Sequence, residues 1–383
     1  MEFVFPYLFI CIVFFLLFLV TMVHIAVVTS IAVVSSVATA SIVCFKMFCR
    51  CKMALLGRCR AEVDSELGPA QACIGGDPEK GAAALRRFRW PEVESLTARF
   101  APSAVIGEGG SSIVYLGRLP DSSFAAVKLN RPSERLRRAF RRELDVLRPL
   151  RHANVVRLLG YCDDREEQGV LVFEYVPEGS LHEQLHERGA ALPWERRMEA
   201  ALQVARALEY LHEGCDPPVV HGDVKAANVL LGGSTGAKLC DFGSARAGFS
   251  AAVAEPRRAM AVGSPGYVDP HYLRTGMVSK KSDVYSFGVL LLELVTGAEA
   301  FDAEREVRLT AAMGTLLREP GRKAAEEVDA RLGGEYDAGE AAAAVAVAAM
   351  CLAENPALRP SMTEVVAFLR QKKAVRFSSQ PST

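Results

Sequence analysis

The chain has 383 residues, with 45 basic and 45 acidic side chains and a formal net charge of zero at pH 7. It is too long for one small domain and long enough for a bilobal enzyme with additional segments. The balanced charge gives no indication of a nucleic-acid or acidic partner. The ten cysteines lack the paired spacing of a zinc site or a disulfide framework, which argues against a secreted, disulfide-rich protein.

The N-terminal stretch of residues 3–45 is mostly apolar and contains no Asp, Glu, Lys or Arg, which predicts a membrane segment within residues 1–45. As one helix, these 43 residues would be about 64 Å long, twice the roughly 30 Å hydrocarbon core of a bilayer. Three arrangements remain open: a transmembrane hairpin with spans at 3–23 and 25–45, a cleaved signal peptide followed by one span, and one long transmembrane helix with an interfacial extension.

A basic cluster without acidic residues follows this stretch, and its members are Lys46, Arg50, Lys52, Arg58 and Arg60. Basic residues beside a span stay on the cytoplasmic side, so we expect the remainder of the chain to be cytoplasmic and attached to a membrane, most simply the plasma membrane. The cluster suits contact with anionic membrane lipid, and Cys49 and Cys51 are either free thiols or sites of S-acylation. Residues 46–87 are thus predicted to form a basic juxtamembrane region and a linker.

A glycine-rich hairpin is predicted at residues 106–115, which read Ile-Gly-Glu-Gly-Gly-Ser-Ser-Ile-Val-Tyr. Gly107 and Gly109 allow the backbone N–H groups to approach phosphate oxygens. A dinucleotide-binding fold would place a helix directly after the glycines, whereas here an apolar strand follows. The pattern therefore favours a hairpin that covers phosphates, with Ser112 in the position of a third glycine.

Lys128 lies inside the apolar stretch 125–129, where an unpaired charge would be costly to bury. Its predicted partner comes from residues 133–148, whose apolar side chains recur at spacings of three and four, as on one face of a helix. Glu143 lies on that same face. Two charges that both need compensation predict an ion pair between Lys128 and Glu143.

Residues 219–231 read Val-Val-His-Gly-Asp-Val-Lys-Ala-Ala-Asn-Val-Leu-Leu, which predicts two short buried strands with a rigid polar loop between them. Asp223, Lys225 and Asn228 in this loop can accept a proton, neutralise a phosphate and ligate a hard cation. Further along, residues 241–243 read Asp-Phe-Gly and offer a second oxygen ligand.

These motifs, in this order, resemble the signature of eukaryotic protein kinases. Asp283 and Arg359 extend the resemblance, and the runs at 152–162 and 263–270 are similar to those of plant receptor-like serine/threonine kinases. The resemblance covers residues 88–370. It implies an α+β, bilobal kinase fold, with a small, mostly β N-lobe at about 104–174, a larger, mostly α C-lobe at about 178–370, and a C-terminal tail at 371–383.

The resemblance implies transfer of the ATP γ-phosphate to Ser or Thr hydroxyls of protein substrates in signalling, with Mg²⁺, or Mn²⁺ in its place. Asp223 would be the general base, assisted by Lys225, and Asn228 and Asp241 would hold the metal. Lys128, positioned by Glu143, would reach the α- and β-phosphates. The implied nucleotide contacts are Ile106, Gly107, Gly109, Ser112, Val114, Ala126, Lys128, Glu174, Val176, Asn228, Leu230 and Asp241. Because we expect no large ectodomain, a co-receptor would supply one.

Further positions bear on activity and regulation. Gly222 replaces the usual Arg that clamps a phosphorylated activation segment, which identifies a non-RD type whose activity should depend little on that phosphorylation. Ser264 keeps a hydroxyl that would contact Asp223 and Lys225. Because His271 replaces the Glu that usually pairs with Arg359, His271→Glu should raise the melting temperature, unless Arg359 already finds Asp269 or backbone carbonyls. A catalytically weak pseudokinase or scaffold at the membrane is the alternative function.

Overall fold

A computed structural model describes residues 85–248, 263–318 and 324–378. The predicted membrane segment, residues 1–45, and the predicted linker as far as residue 84 lie outside these ranges. Residues 249–262 of the predicted activation segment lie outside them as well. Within the described ranges, no helix combines the length and the apolar composition that crossing a bilayer requires.

The N-lobe is built on a six-stranded sheet with the strand order β1-β5-β6-β4-β3-β2. The strands are β1 (Arg86–Arg87), β2 (Val105–Glu108), β3 (Ser112–Arg118), β4 (Phe124–Asn130), β5 (Leu158–Cys162) and β6 (Val170–Glu174). Strand β1 runs parallel to β5, and all other neighbours are antiparallel. The predicted mostly β N-lobe is confirmed.

The C-lobe is mostly helical, as predicted. The helices of the described residues are α1 (Trp90–Leu96) and α2 (Glu134–Leu147) in the N-lobe, and α3 (Trp194–Glu209), α4 (Pro270–Thr275), α5 (Lys280–Thr296), α6 (Leu309–Ala312), α7 (Gly314–Arg318), α8 (Ala338–Cys351) and α9 (Met362–Ser378) in the C-lobe. The strand pairs of this lobe are β7 (Val219–Val220) with β10 (Arg246–Ala247), β8 (Val229–Gly232) with β9 (Gly236–Leu239), and β11 (Phe301–Asp302) with β12 (Val307–Arg308). Single 3₁₀ or π turns lie at Pro102–Ala104, Glu183–Glu187, Tyr210–Gly214, Ala226–Asn228, Phe242–Ser244, Ala324–Glu327, Ala330–Leu332 and Pro356–Leu358.

Secondary structure continues on both sides of the predicted domain bounds of 88 and 370, which stay a prediction. At the start, Arg86 and Arg87 already pair with β5 and add an edge strand to the sheet. At the end, α9 continues to Ser378, because residues 371–378 contain neither the Pro nor the Gly that would stop a helix. The predicted tail is thus partly helical.

The N-lobe sheet is apolar on both faces, because successive side chains of a strand point to opposite sides. On one face, Val127 of β4 belongs to a small core that also contains Trp90 of α1. On the other face, Leu171 of β6 belongs to the main core, together with Leu144 of α2. Lys128 lies opposite Leu171 in the register and therefore points to the side of α2.

Helix α5 is the centre of the C-lobe core, with 13 of its 17 residues buried. A helix that is apolar nearly all round is stable only when other elements cover it. Gly288 allows α8 to approach closely, since a Cβ at this position would lie 2.8 Å from the Cβ of Cys351. The first turn of α5 carries the buried Asp283, whose partners are described with the loop at 221–228.

Arg359 is buried in the C-lobe and finds its partner in Asp269. Its two terminal nitrogens lie 2.8 and 2.9 Å from the two carboxylate oxygens of Asp269, and its Nε donates to the carbonyl of Ala353 at 2.8 Å. His271 contributes its backbone N–H, which donates to Asp269 at 2.8 Å and caps α4. Arg359 thus takes both alternatives, the bidentate pairing with Asp269 and backbone carbonyls, so a Glu at position 271 is not needed to neutralise it.

We expect Asp269→Asn to lower the free energy of unfolding by about 3–5 kcal/mol, because the guanidinium of Arg359 is then left buried without a counter-charge. Asn keeps an oxygen for the cap of α4, so the loss reports on charge. The matched variant His271→Glu should change stability by less than about 0.5 kcal/mol, as is usual away from such features. Urea unfolding of the three proteins measures both effects. A clearly raised stability for His271→Glu would contradict the assignment.

Candidate active site

The buried charges predicted in the N-lobe meet at the ammonium group of Lys128. Its Nζ lies 2.7 Å from Oε1 of Glu143 on α2 and 2.9 Å from Oδ1 of Asp241. Burial alone would lower the pKa of Lys128, but the two carboxylates outweigh it and raise the pKa above its ordinary value. The site therefore keeps a permanently positive group between the two lobes.

Glu143 connects α2 to the Asp-Phe-Gly triplet as well as to Lys128. Its side chain is only 4% exposed, and burial raises its pKa against the opposing effect of the Lys128 ammonium. The backbone N–H of Phe242 also donates to it. The ring of Phe242 is buried and packs edge-on against His221, with 4.8 Å between the ring centroids. One carboxylate thus fixes the helix, the strand and the triplet relative to one another.

The loop at 221–228 lies between β7 and β8, as the two buried flanks predicted. The carboxylate of Asp223 accepts a hydrogen bond from the Ser264 hydroxyl at 2.9 Å and lies 2.8 Å from the Lys225 ammonium. Lys225 also donates to the Ser264 hydroxyl at 2.7 Å. Ser264 therefore makes both of the contacts predicted for it, and the three groups form a closed triangle.

Asp283 of α5 fixes the backbone of this loop through hydrogen bonds. Its Oδ2 accepts the backbone N–H of His221 at 2.8 Å, and its Oδ1 accepts that of Gly222 at 2.8 Å. His212 lies 2.8 Å from the same carboxylate. His221 is fully buried, and its Nε2 lies 3.0 Å from the carbonyl of Cys240. These contacts give His221 a structural role and leave Asp223 as the carboxylate on the open side of the loop.

Asn228 and Asp241, the predicted metal ligands, are held on neighbouring segments because the N–H of Cys240 donates to the carbonyl of Asn228 at 2.9 Å. The amide nitrogen of Asn228 donates to Asp223 at 2.8 and 3.0 Å, which leaves its amide oxygen as the ligand atom. Two oxygen donors beside a phosphate site fit Mg²⁺, which keeps further positions for phosphate and water. Among the described residues, no cluster of three or more His, Cys, Asp or Glu side chains could hold a metal by itself.

Several of the predicted nucleotide contacts share the sheet face of Lys128. Val114 lies directly opposite Lys128 in the register, and Ala126 lies two residues before it on the same strand. Gly107 pairs with Val114, and the neighbouring Ile106 is 45% exposed. A partly exposed apolar surface with one cation at its inner end suits a base and its phosphates.

The remaining predicted contacts lie after β6 and on β8. Strand β6 ends at Glu174, whose carboxylate pairs with Lys238 at 2.9 Å, and Val176 is buried two residues later. Leu230 of β8 pairs with Ser180, so β8 lies against the segment that leaves the N-lobe. The N–H of Glu174 donates to the Arg157 carbonyl at 3.0 Å, and the contacts of Glu174 and Val176 with a base stay a prediction.

Arg131, which the sequence analysis missed, holds the tip of the glycine-rich hairpin in place. The Gly109 N–H donates to the Ser112 carbonyl at 2.9 Å and closes the turn. Arg131 pairs with Glu108 at 2.7 Å and reaches the Gly109 carbonyl at 3.4 Å. The sequence signal is weak, because it consists of one basic residue directly after β4.

Tyr267 was also missed, although it lies in the Gly-Tyr-x-Asp-Pro run. Its hydroxyl donates to the buried Glu293 of α5 and accepts the backbone N–H of Ala226 at 3.1 Å. Burial and the neighbouring carboxylate raise the pKa of Tyr267, so its hydroxyl stays protonated. Tyr267 thereby links the segment that carries Ser264 to the loop at 221–228.

Gly222, where the usual Arg is missing, has a backbone that an L-residue rarely adopts. Its φ is +79°, and a Cβ at this position would lie 3.0 Å from the backbone oxygen of Ser244. Both the dihedral angle and the contact favour glycine. The backbone of the loop thus disfavours an Arg, or any other side chain, at position 222.

Comparison with known proteins agrees with the geometry. A family model described as the protein kinase domain matches residues 100–368. Salt tolerance receptor-like cytoplasmic kinase 1 of Oryza sativa subsp. japonica is 53% identical over 331 residues, which cover 82% of this chain and 91% of the relative. A probable receptor-like protein kinase of Arabidopsis thaliana is 46% identical over 292 residues, 72% of this chain and 85% of the relative. A probable LRR receptor-like serine/threonine-protein kinase of the same plant is 40% identical over 289 residues, 75% of this chain but 32% of the relative.

We expect Gly222→Arg to destabilise the fold by about 1–3 kcal/mol and to lower turnover, since it forces a Cβ into a left-handed backbone beside Ser244. The control Gly222→Ala carries the same strain without a guanidinium and should behave alike. Thermal unfolding and a peptide phosphorylation assay measure the two effects. An Arg variant of unchanged stability with higher, phosphorylation-dependent activity would show that the loop readily accepts the usual residue.

Proposed function

The chain belongs to the protein kinase family, as a serine/threonine protein kinase of the plant receptor-like group, and from this premise we propose that it is a membrane-anchored signalling kinase with Asp223 as its general base. The observation that carries the proposal is the fixed triangle of Asp223, Lys225 and Ser264. Because two neighbours already orient this carboxylate, it does not have to reorganise when a substrate hydroxyl binds, and this lowers the activation free energy.

In the proposed mechanism, Asp223 accepts the proton of a substrate Ser or Thr hydroxyl as its oxygen attacks the γ-phosphorus of ATP. Lys225 lies beside Asp223 and neutralises charge that develops on the transferred phosphoryl group. Lys128, held by Glu143, binds the α- and β-phosphates. Mg²⁺, or Mn²⁺ in its place, would be held by Asn228 and Asp241 and would offset phosphate charge. The backbone near Gly107 and Gly109 covers the phosphates and excludes water.

The proposed regulation follows from Gly222 and from the contacts of the activation segment. Without an Arg at 222, a phosphate on this segment loses its usual guanidinium partner. The hydroxyls of Ser264 and Tyr267 are already engaged with Asp223 and Glu293. A phosphate on either would break the contacts that hold the site together. We therefore infer activity that depends little on activation-segment phosphorylation.

The proposed location is a membrane surface, with the kinase domain in the cytoplasm. Support comes from the uncharged stretch at 3–45 and the basic cluster after it, both of which lie outside the described residues. Membrane lipid is then one partner and a co-receptor with an ectodomain another, beside protein substrates with Ser or Thr acceptors. The proposal includes no nucleic-acid partner.

A Mg²⁺-ATP assay on the full chain tests the catalytic proposal. Lys128→Met should lower phosphate incorporation by about 10²–10³-fold, because the cation is lost at the phosphates. Lys280→Met, which removes a lysine from the surface of α5, serves as the matched control and should leave incorporation unchanged. Phosphatase treatment before the assay should also have little effect. Equal incorporation by the parent and Lys128→Met would favour the pseudokinase or scaffold.

Alkaline carbonate extraction and protease digestion of sealed, cytoplasmic-side-out vesicles test the anchor. The full chain should stay with the membrane pellet, because more than 18 consecutive apolar residues can span the bilayer, and its C-terminal tag should be digested. An N-terminal tag is digested if the stretch forms a hairpin and is protected if it forms one span. A chain lacking residues 1–45 should be released. Release of the full chain by carbonate would contradict the proposal.

A further inference from the structure

The solvent side of α2 carries a row of arginines. Arg135, Arg138, Arg141 and Arg142 are all exposed. Their spacing of three, four and seven residues puts them on one side of the helix, away from the buried Phe140, Glu143 and Leu147. We call these four residues the α2 arginine face. Arg135 and Arg142 are seven residues apart, so the face extends about 10 Å along the helix.

The α2 arginine face brings four guanidinium groups without acidic partners together on one helix. Some exposed arginines elsewhere in the N-lobe are paired, namely Arg86 with Glu92 at 2.8 Å, Arg87 with Asp163 at 2.7 Å and Arg131 with Glu108 at 2.7 Å. Others, such as Arg118, are exposed singly on a strand. By contrast, no carboxylate oxygen among the described residues lies within 4.0 Å of the four guanidinium groups. Even Glu134 and Asp145, which are four residues from Arg138 and Arg141, are not paired with them. Arg142 donates through Nε to the Arg138 carbonyl at 3.3 Å, so carboxylates of the described residues neutralise none of the four charges.

The composition of the face favours a lipid surface over a protein. Stable protein interfaces are anchored by buried aromatic or aliphatic side chains. None of the large apolar side chains that are exposed among the described residues lies on α2. A convex row of guanidinium groups instead matches a surface of phosphate and carboxylate headgroups, which arginine binds in a bidentate manner.

We propose that the α2 arginine face binds anionic lipid headgroups of the membrane to which the chain is attached. This inference rests on the proposed membrane anchor. Residues 61–84 would span at most about 85 Å even if fully extended, so the anchor keeps the domain near the lipid surface. Each arginine close to an anionic leaflet strengthens binding about fivefold, and the effect declines within a Debye length.

Lipid contact at this face would act on the active site through α2. Glu143 lies next to Arg142 in the chain but on the buried side of the helix, where it holds Lys128 at 2.7 Å. Headgroups bound to one side of α2 therefore stabilise the helix position that the ion pair on its other side requires. We expect higher activity on anionic than on neutral membranes.

The test uses the full chain in lipid nanodiscs of phosphatidylcholine, either pure or with about one third phosphatidylserine. Arginine modification by a dicarbonyl reagent, read by mass spectrometry, should slow at least about fivefold on the α2 arginine face in anionic discs. Arg118 and Arg274, which are exposed on other surfaces, should react equally in both lipids. High salt should abolish the protection, because it screens the charges.

The double variant Arg138→Gln/Arg142→Gln should lose the protection of Arg135 and Arg141 and the activation by anionic lipid, while keeping the parent's activity on neutral discs. The matched control Arg118→Gln/Arg274→Gln removes the same charge elsewhere and should keep both. Equal labelling in the two lipids overturns the inference but leaves the anchor standing. Protection in both lipids overturns it too, because a protein surface would then cover the face. A chain that does not enter nanodiscs overturns the anchor and the inference together.

Discussion

Glu143 is an ionisable side chain inside the main core, and its burial is tolerable because an ammonium group lies 2.7 Å away. This one ion pair sets the position of three elements at once, since Lys128 belongs to the sheet, Glu143 to α2, and Asp241 to the triplet that Lys128 also contacts. Neither charge is stable in place without the other. The nucleotide site therefore exists only in the arrangement in which the lobes and α2 come together.

In the C-lobe, the buried helix α5 fixes the position of the loop at 221–228. Asp283 lies on a helix that is buried on nearly every side, and it fixes the backbone of the catalytic loop through two N–H groups. Asp223 can then remain accessible, because its position is set by its neighbours and not by its own burial. Arg359 and Asp269 perform a similar task further along the segment, where they hold the start of α4.

The sequence predicted most reliably those contacts whose two partners both violate a local rule. A lysine within an apolar strand and a glutamate on an apolar helix face each require a partner, so the pair Lys128 and Glu143 could be deduced. The partner of Arg359 stayed open, because a buried Arg can donate to a carboxylate or to backbone carbonyls. The spacing of residues along the sequence does not decide between the two. Arg131 left only a weak signal, since a basic residue at the end of a strand is ordinarily solvated. The N-terminal membrane segment stays a prediction.

The left-handed backbone at Gly222 has a consequence for how this type of kinase could change. The two residues that meet there belong to different segments, and their effects on stability are coupled because they are in contact. A side chain at 222 would meet the backbone of Ser244 at 3.0 Å, so an arginine there also requires a small shift of the segment that follows the Asp-Phe-Gly triplet. The residue that decides how the activation segment is regulated is therefore coupled to the backbone beside the metal-binding triplet.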